Sequence, residues 1–165
     1  MSGFRFAVIT MSDSGARGER DDTSGKALMD LFSEAGYHLC DYRVIPDRIE
    51  DIVKSVKKAI DQDRADLVLT TGGTGVSPTD VTPEAMDQVI EKEIPGMAEA
   101  MRAESLKITP RAVISRNRAG IYKSALIINL PGSKKAALEN IGVIMPALEH
   151  AIEKIKGSTK DCGES

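Results

Sequence analysis

Gly72, Gly73 and Gly75, with Thr74 among them and Thr71 before them, stand between an apolar run and a helix start. Glycine loses more conformational freedom on folding than any other residue, so such a cluster is useful where backbone must come very close to something. Successive backbone N–H groups in a glycine-rich turn form an anion nest, and the Thr71 and Thr74 hydroxyls are further donors. The segment is not G-x-G-x-x-G, because Pro78 takes the third glycine's place, nor G-x-x-x-x-G-K-[ST], because no Lys follows at the required distance. The spacing therefore points to an anion binder with a loop of its own kind. Asp80 stands just ahead of Thr82-Pro83-Glu84 and Asp47 just ahead of a second helical stripe. Each suits a cap or a turn. Each also suits a divalent cation held against phosphate, since Mg²⁺ takes one or two carboxylates and completes its shell with water and phosphate oxygens. A phosphate loop beside two such acids is what nucleotidyl transfer requires.

The elements that must position these residues are readable from periodicity. Phe4–Met11 is a mostly apolar run suited to a strand buried on both faces. A polar loop from Ser12-Asp13 to Asp22 follows, and loops of this length are often functional. Ala27, Leu28, Leu31, Phe32 and Ala35 share a helical face that stops at Gly36, and Tyr37–Ile45 reads as a strand. Ile49, Ile52, Val53, Val56, Ala59 and Ile60 form a second helical stripe, with Asp47 as N-cap behind Pro46. Leu67–Thr71 is a third strand; Thr82 as N-cap, with Pro83 and Glu84 behind it, opens a helix, and another begins near Pro95-Gly96. One strand or two short ones, broken near Lys123-Ser124, fill 120–130. Ser133 caps a helix through Ile141, and a last helix runs from about Pro146 to Lys156 before a frayed polar tail over 157–165. Strands alternating with helices predict one α/β domain over 1–156, a mostly parallel sheet between two helical layers. Ligands of such sheets bind beyond the carboxyl ends of the strands. That edge would gather Ser12-Asp13, Pro46-Asp47, the glycine loop and Asn129–Ser133.

Composition excludes several functions. A formal net charge of −3 over 165 residues argues against a duplex nucleic-acid binder, and 4% aromatic content without Trp argues against base stacking on single strands. No apolar run approaches the length of a bilayer span, and the N-terminus lacks the apolar centre of a signal peptide, so a cytoplasmic protein is expected. Cys40 and Cys162 make no metal-ligand spacing and read as free thiols of a reducing compartment. His38 and His150 lie outside the polar clusters and read as structural or surface residues. Met97 and Met101 suit core or a subunit interface, Lys54, Lys57 and Lys58 a solvated helix face, and Lys134-Lys135 either a phosphate contact or a helix surface.

Thr70-Thr-Gly-Gly-Thr-Gly75 followed by Asp80-Val-Thr-Pro-Glu84 resembles the signature of Mog/MoaB-type proteins of molybdenum-cofactor biosynthesis. The likeness runs along nearly the whole chain, through Ser12-Asp13, Ile45-Pro46-Asp47, Ile94-Pro95-Gly96, Met101-Arg102, Ile114-Ser115-Arg116 and Asn129-Leu130-Pro131-Gly132. It implies a three-layer αβα fold, a homotrimer and a molybdopterin adenylyltransferase, which uses ATP and Mg²⁺ to give adenylyl-molybdopterin and pyrophosphate. On it, Asp47 and Asp80 are the essential acids and metal ligands, and Thr71, Gly72, Gly73, Thr74 and Gly75 bind phosphate. Ser12, Asp13, Ser115, Asn129, Pro131, Gly132 and Ser133 line the nucleotide or pterin pocket. The downstream molybdate insertase is the implied partner. Two departures keep an alternative open: Ser14 and Thr79 stand where many relatives carry a basic residue. That alternative is a paralogue that binds molybdopterin or a protein without transferring AMP. The insertase step itself is a second alternative, but it usually comes with extra domains.

Overall fold

Arg5–Met11 forms strand β1, and every residue after Arg5 is buried because helices cover both faces of the sheet it belongs to. The alternation of a strand splits its side chains between two cores. Phe6 and Val8 face one core, built with Leu28 and Phe32 of α2 (Thr23–Glu34), Met101 of α5 (Pro95–Ile108) and the inner face of α6 (Lys134–Ile155). Ala7, Ile9 and Met11 face the other, built with α3 (Ile49–Asp61) and α4 (Thr82–Met86). Burying a side chain such as Leu28 or Phe32, both fully inaccessible, stabilises by roughly 1.5–3 kcal/mol before entropy is charged. These residues belong to a computed structural model that describes 3–159, so the expected frayed tail lies partly, and the free Cys162 wholly, outside the described residues.

The other strands are β2 (His38–Ile45), β3 (Leu67–Thr71), β4 (Lys92–Glu93), β5 (Ala119–Tyr122) and β6 (Ala125–Leu130). They lie in the order β2-β1-β3-β6-β5-β4; β2, β1, β3 and β6 run parallel, and β5 and β4 complete the sheet antiparallel to their neighbours. The expected three-layer α/β fold with a mostly parallel sheet is what forms. From β1 the chain crosses to β2 on one side, then returns through α3 to β3 on the other. The strand order therefore reverses between β1 and β3, and the crevice beyond their carboxyl ends is where open α/β sheets take ligands.

The stretch 120–130 follows the two-strand alternative, broken at Lys123-Ser124: it is part of a hairpin that turns at Lys123, whose φ of 53° is left-handed. Other local expectations change. The two expected C-terminal helices are one, α6, which runs straight through Pro146. Proline there removes one N–H and crowds the carbonyl of Gly142, one turn back; both residues are exposed, so that carbonyl can turn to water. Ile141, Ile144, Leu148 and Ile152 keep one buried face across the proline. Asp47 is not the N-cap of α3: Arg48 holds that position without a side-chain hydrogen bond, and the Asp47 carboxylate is committed elsewhere. Thr82 is the first helical residue of α4 rather than its cap, and its hydroxyl turns inward to donate to the Gly72 carbonyl at 2.9 Å.

Candidate functional site

The chain leaves β1 at Met11 and at once makes the four-residue helix α1 (Asp13–Ala16), capped by Ser12 Oγ, which accepts from the Gly15 N–H at 3.0 Å. The Ser12 N–H donates to the Ile45 carbonyl at the end of β2, so the first two loops leave the sheet together. Asp13 and Asp47 then exchange contacts. The Asp47 N–H donates to Asp13 Oδ1 at 3.0 Å, and the Asp13 N–H donates to Asp47 Oδ2 at 3.2 Å. Two acids are thereby held side by side, 34 residues apart in sequence. Burial raises the Asp47 pKa above its ordinary value, and repulsion from Asp13 and Asp80 raises it further against the opposing Asp13 N–H bond. Such a cluster favours a cation.

The glycine loop faces this pair. Gly72 and Gly73 are both left-handed, with φ of 102° and 66°, which glycine adopts without steric cost. A Cβ on Gly72 would lie 2.5 Å from the Met11 carbonyl oxygen. A Cβ on Gly73 would lie 2.5 Å from Thr82 Oγ1 and 3.3 Å from Asp47 Oδ1. Gly75 carries no such φ; its need is close approach, since a Cβ there would lie 2.7 Å from Asp80 Oδ2. The loop is thus flanked by a carboxylate at each end. The Gly72 N–H donates to the Leu130 carbonyl, while those of Gly73, Thr74 and Gly75 find no acceptor among the described residues. Three successive amides are left for an anion.

Thr71 has a different task from the one its position suggests. Its hydroxyl donates to the Pro131 carbonyl at 2.6 Å and lies 2.8 Å from Ser24 Oγ, so its proton is spent on a strut between the glycine loop and the β6–α6 loop. Asn129 is fully buried behind that strut, donating from Nδ2 to Thr70 Oγ1, and it lines neither cavity described below. Ser133 caps α6 as expected, accepting from the Ala136 N–H.

Two cavities share the glycine loop as a wall. The larger, about 550 Å³ and strongly polar, gathers Ser12, Asp13, Asp47, Thr71, Gly72, Gly73, Asp80, Gly132 and Ser133. The smaller, about 330 Å³ and mainly apolar, gathers Thr74, Gly75, Ser115 and Pro131 with Ile108, Ile114 and Arg102. Ser115 is therefore parted from the carboxylates, and its hydroxyl donates to Asn117 Oδ1, which Arg102 also holds at 2.7 Å. The polar groove also contains Arg17 and Arg20, so the loop that places Ser14 after Ser12-Asp13 supplies cations a few residues later. Asp13, Asp21, Asp22, Asp47 and Asp80 still outnumber them. Among the described residues no three His, Cys, Asp or Glu side chains are placed to hold a metal by themselves. An ion here would complete its shell with water and ligand oxygens, as Mg²⁺ does in phosphate sites.

Sequence reasoning missed the back wall. Asp22 caps α2 through the Gly25 N–H and accepts at Oδ2 from Thr10 and from Tyr42, each at 2.7 Å. Burial and the Asp22 carboxylate push the Tyr42 phenol well up. The signal was Asp22-Thr-Ser-Gly25, an N-cap Asp with the glycine it needs, since a Cβ on Gly25 would meet Asp22 Oδ2. Arg118 was missed as well, and Arg116, noted only within the Ile114-Ser115-Arg116 segment, was given no role. Both reach back to the segment from the glycine loop to α4, contacts that nothing local in the sequence marks.

Residues 7–150 match the family model described as "Probable molybdopterin binding domain". The chain is 39% identical to the molybdopterin adenylyltransferase of Helicobacter pylori, over 99% of this chain and 94% of that one. It is 40% identical to the molybdenum cofactor synthesis protein cinnamon of Drosophila melanogaster, over 94% of this chain but 26% of that much longer protein. The crystal structure of the molybdopterin biosynthesis enzyme MoaB from Thermus thermophilus superposes with a TM-score of 0.88 at 41% identity, covering 94% of this chain and 98% of that one.

Proposed function

The chain belongs to the molybdopterin-binding domain family, and from that premise we propose that it transfers AMP from ATP to molybdopterin at the shared glycine loop. It is an adenylyltransferase of molybdenum-cofactor biosynthesis, the activity carried in the name of a relative that matches it almost end to end. The observation that carries the site assignment is the pair of carboxylates set against the loop, Asp47 Oδ1 over Gly73 and Asp80 Oδ2 over Gly75. The free amides of Gly73, Thr74 and Gly75 lie between them.

In the reaction a terminal phosphate oxygen of molybdopterin forms a bond to the α-phosphorus of ATP. The bond from that phosphorus to the bridging oxygen breaks, and pyrophosphate leaves with the electron pair. The attacking oxygen is already anionic, so neither a protein nucleophile nor a general base is required. Such transfers depend mainly on positioning and charge neutralisation. The loop amides bind phosphate oxygens and stabilise charge without reorganising. Asp47 and Asp80, with Asp13 beside them, fit Mg²⁺ as hard oxygen donors in a repelling cluster. Bound there, the ion would neutralise polyphosphate charge. Arg17 and Arg20 add cationic contacts at the groove mouth. The mainly apolar cavity beyond Gly75 supplies an apolar wall for a flat heterocycle.

The protein acts as a homotrimer in the cytoplasm on this reading. Leu106, Ile108, Val113 and Ile114, all exposed around the end of α5 and the 3₁₀ turn Pro110–Ile114, support such an assembly. Met101 belongs to the chain's own core. A copy of this domain inside a chain roughly four times longer supports a partner working on the product, the molybdate insertase. Pyrophosphate release that needs ATP, Mg²⁺ and molybdopterin together tests the assignment. Ligand binding without release would favour the non-catalytic paralogue that Ser14 and Thr79 leave open.

A further inference from the structure

Between Gly75 and Asp80 the chain makes an exposed turn, Val76-Ser77-Pro78-Thr79, that no apolar contact anchors; Val76 is 61% exposed. Within the turn Ser77 Oγ also meets Thr79, and two bonds tie Ser77 to Asp80. The Asp80 N–H donates to the Ser77 carbonyl at 2.9 Å, and the Ser77 N–H donates to Asp80 Oδ2 at 2.9 Å. The second bond fixes the direction of the Asp80 carboxylate only if the ends of the turn are themselves fixed. Both ends are held by one residue. Arg116 donates from Nε to the Gly75 carbonyl at 2.7 Å and from Nη2 to the Asp80 carbonyl at 2.8 Å. Its backbone N–H donates to the Thr74 carbonyl at 2.8 Å, and its Nη1 bonds Glu84 Oε1 in the first turn of α4. Arg118, two residues on, donates to the Pro83 carbonyl and to Asp87, which pins α4.

We propose that Arg116 is a positioning residue for adenylyl transfer: it clamps both ends of the 75–80 turn and so sets the Asp80 carboxylate against the Asp13–Asp47 pair. The guanidinium suits this task because it is planar and rigid and offers donors in fixed directions, which a lysine ammonium cannot reproduce. Its Nε, Nη1 and Nη2 each donate to a group of the 75–84 segment, so the role assigned to it is exerted through Asp80. The claim rests on the adenylyltransferase reading above. Loss of the clamp should leave ligand affinity nearly intact, because Thr82 holds the carbonyls of Gly72 and Gly73, and the Arg116 backbone N–H, which either substitution keeps, holds that of Thr74.

The test compares wild type with Arg116→Lys and Arg116→Gln in three readouts: steady-state adenylyl transfer, thermal melting, and amide hydrogen exchange resolved over residues 74–84 and over the strands of the sheet. The expected result is a fall in kcat of about 10- to 100-fold, the scale of a misplacement near 1 Å. KM for ATP and molybdopterin should stay within about threefold of wild type, with exchange faster over 76–80 and unchanged in β1 and β3, and Lys no better than Gln. Wild-type kcat in either folded variant would overturn the proposal. So would a loss lying wholly in KM, full rescue by Lys, or accelerated exchange across the whole sheet. If wild type itself transfers no AMP, the functional reading fails, and exchange over 76–80 still decides whether Arg116 holds the turn.

Discussion

Replacing Gly75 with alanine should separate catalysis from stability more cleanly than any other single change in the loop. Gly75 has no left-handed φ, so an added methyl brings no backbone strain. It would meet only the Asp80 carboxylate, 2.7 Å from Oδ2 and 3.6 Å from Cγ. Ordinary contact begins near 3.4 Å, so the oxygen must retreat by roughly 0.7 Å. That side chain can rotate away. The cost to the fold is one stretched bond at an exposed turn, Ser77 N–H to Asp80 Oδ2, worth about 1 kcal/mol. For a chain of this size that is a fall in Tm of about 2–4 °C. The cost to catalysis is larger, because displacement of a reacting constellation by about 1 Å reduces rate by about 100-fold. We expect kcat to fall roughly 10- to 100-fold with Tm nearly held. Gly73→Ala is the contrast. Its φ of 66° and its contact with Thr82 Oγ1 at 2.5 Å load strain of about 1–3 kcal/mol directly on the backbone. Stopped assays for pyrophosphate and differential scanning fluorimetry on both variants decide the matter. Unimpaired turnover in Gly75→Ala, or activity lost only in step with melting, would refute the placement of Asp80 at the reacting centre.

Asp47→Asn should raise the Tm of the ligand-free protein at neutral pH while abolishing transfer. A folded pKa raised above the ordinary aspartate value means that ionised Asp47 opposes folding above its folded pKa. The opposition disappears as pH falls below the ordinary value. The melting difference between the two proteins, followed from neutral to strongly acidic pH, should therefore shrink to nothing, and a difference that grows on acidification would reverse the sign. Thr71→Val removes the strut to Pro131 and leaves Ser24 without its partner, a loss of about 1–3 kcal/mol in chemical denaturation; an unchanged denaturation midpoint contradicts the strut. Sedimentation equilibrium should give three times the 17.8 kDa chain mass, and Ile114→Glu should reduce it to one; a monomeric wild type removes the exposed patch from the assembly.

The strands and both core faces were legible because apolar periodicity is a local signal: Phe4–Met11, Leu67–Thr71 and the stripe from Ile49 to Ile60 each announce themselves. The convergence of Ser12-Asp13, Asp47 and the glycine loop followed from parallel strands alone. What stayed hidden is polar and long-range. Arg116 lies 41 residues from Gly75 and 36 from Asp80, and no window of sequence joins them. Thr71 reads as a phosphate donor until the Pro131 carbonyl, 60 residues on, is seen to accept its hydrogen bond. Asp47 reads as a cap because a cap needs only its own helix, whereas its actual partner is Asp13 across two strands. Pro146 reads as a helix start because its helix's continuity is decided by the buried face opposite, not by the proline.

The central claim is that the acids flanking the glycine loop move an AMP group. Its most direct test is single-turnover transfer of label from α-labelled ATP to molybdopterin, with Mg²⁺, by wild type and by Asp80→Asn at equal folded concentration. The account predicts labelled adenylyl-molybdopterin from wild type and almost none from Asp80→Asn, with the two proteins melting within a few degrees. Label transferred equally by both, or by neither while both bind ATP and molybdopterin, would contradict it.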